Sequence, residues 1–218
     1  MKRRNSTSAE ELLDMATHAC LVAKDAATNL QEILTGASRL AALTLRQCEA
    51  ELDELERTSH QKLPQAITRV SEDKARELLV CSSFIGNLER ITDLLLWVGQ
   101  RIGIPNSRIS AKSREGLAEM VSTLVEMIDQ IHGGFVRHDP DLAQSVLRLD
   151  ANLDRLRGQA FHRTLMGNSK NVDSAVETLL MVQALERAGD HATNLAEELV
   201  YLIEHRSIRH TRRKMVQN

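Results

Sequence analysis

The sequence is poor in aromatic residues. Only 2% of its 218 residues are Phe, Trp or Tyr, and it has a single Trp. Because β-sheets favour aromatic and β-branched side chains, this shortage argues against a sheet protein. Hydrophobic residues still make up 42% of the chain, which is enough for a core. That core must be largely aliphatic, and such a core suits the packing of helix against helix.

Cysteine and long apolar runs are also scarce. Cys20, Cys48 and Cys81 form no CxxC pair, so we expect buried thiols in a reducing compartment. The longest apolar run, 94–98, is too short to span a bilayer, and no apolar stretch typical of a signal peptide follows Met1. These absences predict a cytoplasmic protein.

The chain has almost no net charge, −2 at pH 7, so its overall charge does not favour nucleic acid as a partner. Basic residues do gather at both ends, within 2–4 and 206–214. Two interpretations of these ends remain open: solvated tails, or electrostatic attachment to an anionic partner or membrane surface.

Proline, glycine and polar residues divide the chain into six long helical segments. We expect Pro64 to stop the second helix and Gly133-Gly134 to end or kink the fourth. The predicted helices cover 8–34, 38–62, 72–102, 112–132, 139–166 and 172–205. The stretch 103–113 is the one that resembles an interdomain linker.

The two halves of the chain resemble each other. Leu88-Glu89-Arg90 in the third helix recurs 97 residues later as Leu185-Glu186-Arg187 in the sixth. An acidic pair in the second helix recurs 101 residues later in the fifth. Such similar offsets imply a duplicated unit of about a hundred residues. We therefore predict an all-α fold of two tandem, pseudo-symmetric three-helix bundles, the first over 1–104 and the second over 105–218.

Each half carries two acidic pairs at i, i+4 spacing, one on its second helix and one on its third. They are Glu49 and Asp53, Glu89 and Asp93, Asp150 and Asp154, and Glu186 and Asp190. Residues so spaced share a helix face, where like charges repel by roughly 0.2–0.5 kcal/mol. Carboxylates from two neighbouring helices would offer the all-oxygen ligation that suits Mg²⁺, Mn²⁺ or iron. Ordinary surface acids remain the alternative, since Glu10 and Asp14 have the same spacing outside the repeat.

Motifs of common enzymes are missing. A catalytic di-iron bundle needs Glu-x-x-His on two helices, and none of the eight histidines follows a Glu at that spacing. The chain also has no GxxxxGK[ST] loop, no GxGxxG after a strand and no HExxH. We therefore expect that the protein is not an enzyme.

The segment 185–198, LERAGDHATNLAEE, closely resembles the signature of the PhoU family. The stretch 139–156 resembles the helix that precedes this signature, and 88–93 lies where a first, more divergent copy would be. The resemblance implies two three-helix bundles side by side. It also implies a peripheral regulator of phosphate uptake that keeps phosphate-starvation genes off when phosphate is plentiful.

The partners implied by the resemblance are a phosphate ABC transporter ATPase and a sensor histidine kinase. Membrane association would occur only through these partners, and a homodimer stays open. Two alternatives remain: a PhoU-like regulator of another phosphate or cation transporter, and a carboxylate-bridged metalloprotein.

The resemblance also implies metal binding, since some family members hold Fe, Zn, Mg or Mn through E/D-xxx-D motifs. All eight acids of the four pairs match these motifs, and Asn194 matches a further position. The first half departs from the signature, with Leu94 and Trp97 where the second half has His191 and Asn194. An indole cannot ligate a hard cation. We therefore expect tighter binding by the second set of acids.

Overall fold

The fold is built from helices throughout the part of the chain that the structure, a computed structural model, describes: residues 8–36, 38–102, 109–166 and 172–204. The helices are α1 (Ser8–Gly36), α2 (Arg39–Ile67), α3 (Glu72–Ile102), α4 (Ala111–Arg137), α5 (Pro140–Met166) and α6 (Val172–Glu204). The prediction of an all-α protein with six long helices is confirmed. None of the described helices is both long and apolar enough to cross a membrane.

The helices form two three-helix bundles. In the first, α1, α2 and α3 each pack against the other two, and α4, α5 and α6 do the same in the second. The bundles join through two contacts, α1 with α4 and α3 with α6. Among the described helices, α2 and α5 touch only their own bundle, so they form the two outer edges. One aliphatic core runs through both bundles, from Leu30 and Leu88 to Leu124 and Leu185.

Helices α3 and α6 run antiparallel. Early in α3, Ser83 contacts Glu198 late in α6, whereas Asn87, one turn further along α3, contacts the earlier His191. The predicted repeat boundary at 104/105 falls outside the described residues, as do 103–108 of the expected linker, His205 and both basic ends. The division into 1–104 and 105–218 stays a prediction.

The prediction that Pro64 ends the second helix is wrong, because α2 continues to Ile67. Proline removes one backbone hydrogen bond and normally breaks a helix interior. Here only one turn follows it, and that turn is held by burial: Ala66 is buried and Ile67 packs with it against Leu12 and Leu78. Tertiary contacts therefore outweigh the local preference.

The expected end at Gly133-Gly134 is also wrong, because α4 runs on to Arg137, and the alternative of a kink there stays a prediction. Both glycines are buried, and a Cβ on Gly134 would lie 2.8 Å from Leu199 Cδ2 and 3.1 Å from the carbonyl oxygen of Asp139. Glycine here permits close packing and is not a stop signal. The helix stops at His138, which adopts the left-handed conformation (φ 52°, ψ 45°) and donates its backbone N–H to Gly134.

The three cysteines are free and buried, as expected. Burial raises the pKa of Cys20 and of Cys81 to about 12, and that of Cys48 to about 11. Thiols that stay protonated at neutral pH are poor nucleophiles and poor metal ligands. These residues therefore serve as small apolar core side chains.

A matched pair of variants can compare a glycine that permits close packing with a glycine that has open space around it. Gly134→Ala should lower the free energy of unfolding by roughly 1–3 kcal/mol, because the new methyl group meets Leu199 and a backbone oxygen. Gly158 is exposed on α5, and a methyl group there would meet nothing within 4 Å. Gly158→Ala should therefore raise the free energy of unfolding by about 0.5–1 kcal/mol, because alanine favours the helix more than glycine does. Urea denaturation measures both, and equal effects of the two variants would contradict the packing explanation.

Candidate functional site

The structure brings the four acids predicted in the first half together between α2 and α3. We name this group the first cluster: Glu49, Asp53, Glu89 and Asp93, together with Glu56. Burial raises the pKa of Glu49, and the charges of Asp93 and Asp53 raise it further. The carboxylates therefore lie near enough to repel one another, as the shared helix faces predicted.

Glu89 is the member of the first cluster whose ionised carboxylate is least favourable. Burial raises its pKa to about 7, with Asp93 adding most among the neighbouring acids and Arg90 acting against the rise. Its Oε2 is buried and accepts no hydrogen bond, although Arg90 Nε lies 3.3 Å away as an ion-pair partner. A buried carboxylate oxygen without a hydrogen bond is costly unless protonated or offered a cation.

The four acids predicted in the second half meet between α5 and α6. We name Asp150, Asp154, Glu186 and Asp190 the second cluster. Burial raises the pKa of Glu186, with Asp190 adding the largest charge effect and the Arg157 guanidinium lowering it. Asp150 is buried and accepts a hydrogen bond from Thr193 Oγ1 at 3.2 Å. Asn194 lies exposed on α6, one turn beyond Asp190.

The two clusters differ at one position that sequence reasoning missed. Arg157 Nη1 lies 3.5 Å from Glu186 Oε1, and its Nε lies 3.8 Å from Asp154 Oδ1. The equivalent residue in the first half, 101 positions earlier, is Glu56, which raises the pKa of Glu89. Both residues stand seven positions after the first acid of the predicted pair on their helix, Glu49 or Asp150, and i, i+4 and i+7 share one face. That spacing was the available signal.

The fit of these clusters to a metal ion was tested on chemistry and on geometry. Carboxylate oxygens, mutual repulsion and the unbonded Glu89 Oε2 suit a hard divalent cation. Within the described ranges, however, no three His, Cys, Asp or Glu side chains converge as a metal-holding group. The donor set therefore suits the chemistry of a hard cation, whereas the described side chains as placed do not form a coordination site.

His191, part of the signature-like segment, contacts the other bundle. Its Nδ1 lies 3.0 Å from Asn87 Oδ1 on α3. Burial lowers the pKa of His191, the Arg187 and Arg90 charges lower it further, and Asp190 opposes them. A neutral imidazole at physiological pH suits a hydrogen bond across the α3–α6 contact.

Comparison with a family model concerns the second half of the chain. The PhoU domain model matches residues 117–199, which cover most of α4, all of α5 and most of α6. The second half of the chain therefore resembles a PhoU domain. The match leaves out the first half, in keeping with the divergent copy of the signature there.

Curated PhoU proteins resemble most of this chain. The phosphate-specific transport system accessory protein PhoU homolog of Pseudomonas aeruginosa is 26% identical over 210 residues, covering 92% of this chain and 86% of that protein. The phosphate-specific transport system accessory protein PhoU homolog 1 of Thermotoga maritima is 28% identical over 158 residues, covering 69% of this chain and 68% of that protein.

Solved PhoU structures share the fold. The crystal structure of PhoU from Pseudomonas aeruginosa superposes with a TM-score of 0.84 at 21% identity, covering 91% of this chain and 98% of that one. The phosphate transport system regulatory protein PhoU of Streptococcus pneumoniae gives 0.81 at 17% identity, covering 92% and 97%. At these identities the likeness concerns the fold alone.

The electrostatic strain at Glu89 predicts a specific pH dependence. Since its pKa is raised from 4.5 to about 7, the folded state binds the proton more tightly than the unfolded state. The free energy of unfolding should therefore fall as pH rises through that window. Glu89→Gln should remove this fall and be more stable than the parent by roughly 1–3 kcal/mol at pH 8 with a chelator present.

Urea denaturation from pH 4 to 8 measures this effect. Glu54→Gln, which removes an exposed carboxylate paired with Arg57, is the control and should stay within about 0.5 kcal/mol of the parent. A Glu89→Gln protein that keeps the parent's pH profile would show that Glu89 is not strained.

Proposed function

We propose that this protein is a PhoU-family accessory and regulatory protein of a phosphate transport system. The observation that carries the proposal is the similarity to the Pseudomonas aeruginosa PhoU homolog, which extends over 92% of the chain. A relationship of that extent includes all six helices. It therefore concerns the complete two-bundle architecture and not one shared module.

The protein acts as an adaptor between a phosphate ABC transporter ATPase and a sensor histidine kinase, and has no catalytic activity of its own. Nearly all described residues lie in helices, which leaves little loop length for building a substrate pocket. The three described thiols are buried and stay protonated at neutral pH, so they are poor nucleophiles. Long exposed helix faces suit contact with other proteins.

The two carboxylate clusters are the proposed sites for divalent cations or iron. A bound cation would supply positive charge, relieve the repulsion among the acids and tie the third helix of each bundle to its second. Support comes from the raised pKa values of Glu49, Glu89 and Glu186, each of which has neighbouring carboxylates among its causes. The all-oxygen donor set favours Mg²⁺ or Mn²⁺.

The clusters should not bind a cation equally well. The fuller signature favours the second cluster, but Arg157 places a positive charge beside Glu186 and Asp154 there. The first cluster has Glu56 at the matching position, which adds a fifth carboxylate, but Arg90 lies 3.3 Å from Glu89 there and Arg57 lies 3.9 Å from Asp53. Because arginine charge lies beside both clusters, the fuller signature leads us to propose that the second cluster binds more tightly.

A pair of charge-neutralising variants tests the metal proposal. Glu56→Gln should weaken Mn²⁺ binding at the first cluster by roughly tenfold, because it removes one neighbouring negative charge. Arg157→Gln should strengthen binding at the second cluster by a similar factor. Isothermal titration calorimetry with Mn²⁺ measures both, with Glu54→Gln as the control. No Mn²⁺ binding by any of these proteins would mean that the clusters are ordinary surface acids.

Deletion of the gene in its own host tests the phosphate assignment. Expression of phosphate-starvation genes should rise in phosphate-rich medium, because the regulator that keeps them off is missing. A reporter fusion measures this, and the wild-type gene supplied in trans should restore repression. Normal phosphate uptake together with normal induction in the deletion strain would favour a different transporter as the client.

A further inference from the structure

A groove of about 580 Å³ runs between α3 and α6. Its α3 wall extends from Arg90 to Gln100, which is about 15 Å at the rise of an α-helix. Arg90 and Arg187 stand at one end, and the exposed amides of Gln100 and Gln183 line the groove toward the other. The groove is open to solvent and shares one residue with the first carboxylate cluster, the exposed Asp93, which lines it one turn from Arg90.

The middle of the groove is apolar and rigid. Trp97, Leu94 and Ala184 line it, and Leu180 beside them is 44% exposed. The guanidinium of Arg101 lies 3.4 Å from the centroid of the Trp97 ring, a cation–π contact that covers one face. Because the indole is already fixed in place, a partner that packs against it loses little side-chain entropy on binding.

The arginine end of the groove carries positive charge that is exposed to solvent. The Arg90 side chain is 58% exposed, and its ion-pair partner among the described residues is the buried Glu89. Arg187 is exposed and forms no ion pair with any residue in the described part of the chain. This end of the groove therefore complements an acidic group.

The duplication supplies an internal comparison. The repeat offset of 97 residues relates the groove to an equivalent face. Leu94 and Trp97 of the groove correspond to His191 and Asn194 on that face, and Leu180 and Ala184 correspond to Ser83 and Asn87. That equivalent face is bridged by hydrogen bonds, His191 with Asn87 at 3.0 Å and Ser83 to Glu198 at 2.9 Å, and the hollow beside them is smaller, about 410 Å³. The groove has apolar side chains and no such bonds. The two faces are related by the sequence repeat and differ in these side chains.

We propose that the α3–α6 groove is the docking site for an amphipathic helix of a protein partner. An apolar side chain of that helix packs against Trp97, and its acidic side chains face Arg90 and Arg187. The proposal rests on the proposed function in one respect, namely that the protein acts by contacting other proteins. It also gives a reason for Leu94 and Trp97, the departures of the first half from the family signature.

The shape and composition of the groove favour a helix over a small molecule. A length of about 15 Å matches roughly ten residues of α-helix, and an open groove would leave much of a small ligand in water. Tryptophan and arginine are the residues that most often dominate binding between proteins. The ends of this chain are basic, within 2–4 and 206–214, so their charge opposes docking in their own groove.

Photo-crosslinking in the native host identifies the occupant. The full chain carries p-benzoylphenylalanine at Gln183 in the groove, or at exposed Ser122 on α4 as the control. The expected product is a protein adduct from Gln183 alone, whose crosslinked peptide contains an apolar residue flanked by Asp or Glu within three helical turns. No adduct, an equal adduct from Ser122, a basic crosslinked peptide, a nucleotide adduct or an adduct with a second copy of this chain would overturn the proposal.

A binding measurement with the purified protein then tests the charge contact. The crosslinked segment is synthesised without tryptophan and titrated while the fluorescence of Trp97, the single tryptophan of the chain, is recorded. Arg187→Gln should raise Kd at least tenfold, and Arg148→Gln, an exposed arginine on α5, should leave it unchanged. Equal Kd values for the two variants would remove the groove from the interface.

The same strains separate this proposal from the function itself. If deletion leaves phosphate-starvation genes repressed, the phosphate assignment fails while a specific groove adduct still supports docking. If deletion derepresses those genes and Gln183 gives no adduct, the docking proposal fails and the phosphate assignment stands.

Discussion

The antiparallel packing of α3 against α6 is the contact on which the arrangement of this protein depends. It is one of two contacts that join the bundles among the described helices, and it carries hydrogen bonds from His191 to Asn87 and from Ser83 to Glu198. Each of these two helices also supplies two acids of one carboxylate cluster, and together they form both walls of the groove. A change in their register would move all three features together.

The two bundles share the packing of three helices and differ in electrostatics. In each bundle the third helix brings a glutamate beside acids of the second, so both copies place carboxylates in a partly dehydrated environment. One copy relieves the repulsion with Arg157, and the other increases it with Glu56. The same pattern holds on the α3–α6 faces, where one copy is polar and hydrogen-bonded and the other is apolar and open. The two bundles thus differ in the side chains at positions that the sequence repeat relates.

Local sequence signals predicted the elements well where nothing opposed them. The third helix begins and ends at 72 and 102 as expected, because acidic residues open it and a glycine and a proline follow it. The predictions failed at Pro64 and at Gly133-Gly134, where burial of the surrounding residues outweighs the preferences of proline and glycine. The acidic pairs were found from their spacing and their repetition, and the structure brings each set of four together. Arg157 and Glu56 were missed because they lie at i+7, one turn beyond the i, i+4 pairs that predicted the clusters.

The sequence by itself determined the helical class, the number of helices, the repeated motif and the resemblance to the PhoU family. All of these are written in short-range periodicity, in helix-stopping residues and in a repeated motif, which are properties of neighbours along the chain. Only the tertiary structure decided that α3 pairs with α6, that Arg157 lies beside two acids of the second cluster while Glu56 lies beside the first, and that Trp97 lines an open groove. Those features depend on contacts between residues that are far apart along the chain. Their energy comes from packing and charge across space, which no local pattern records.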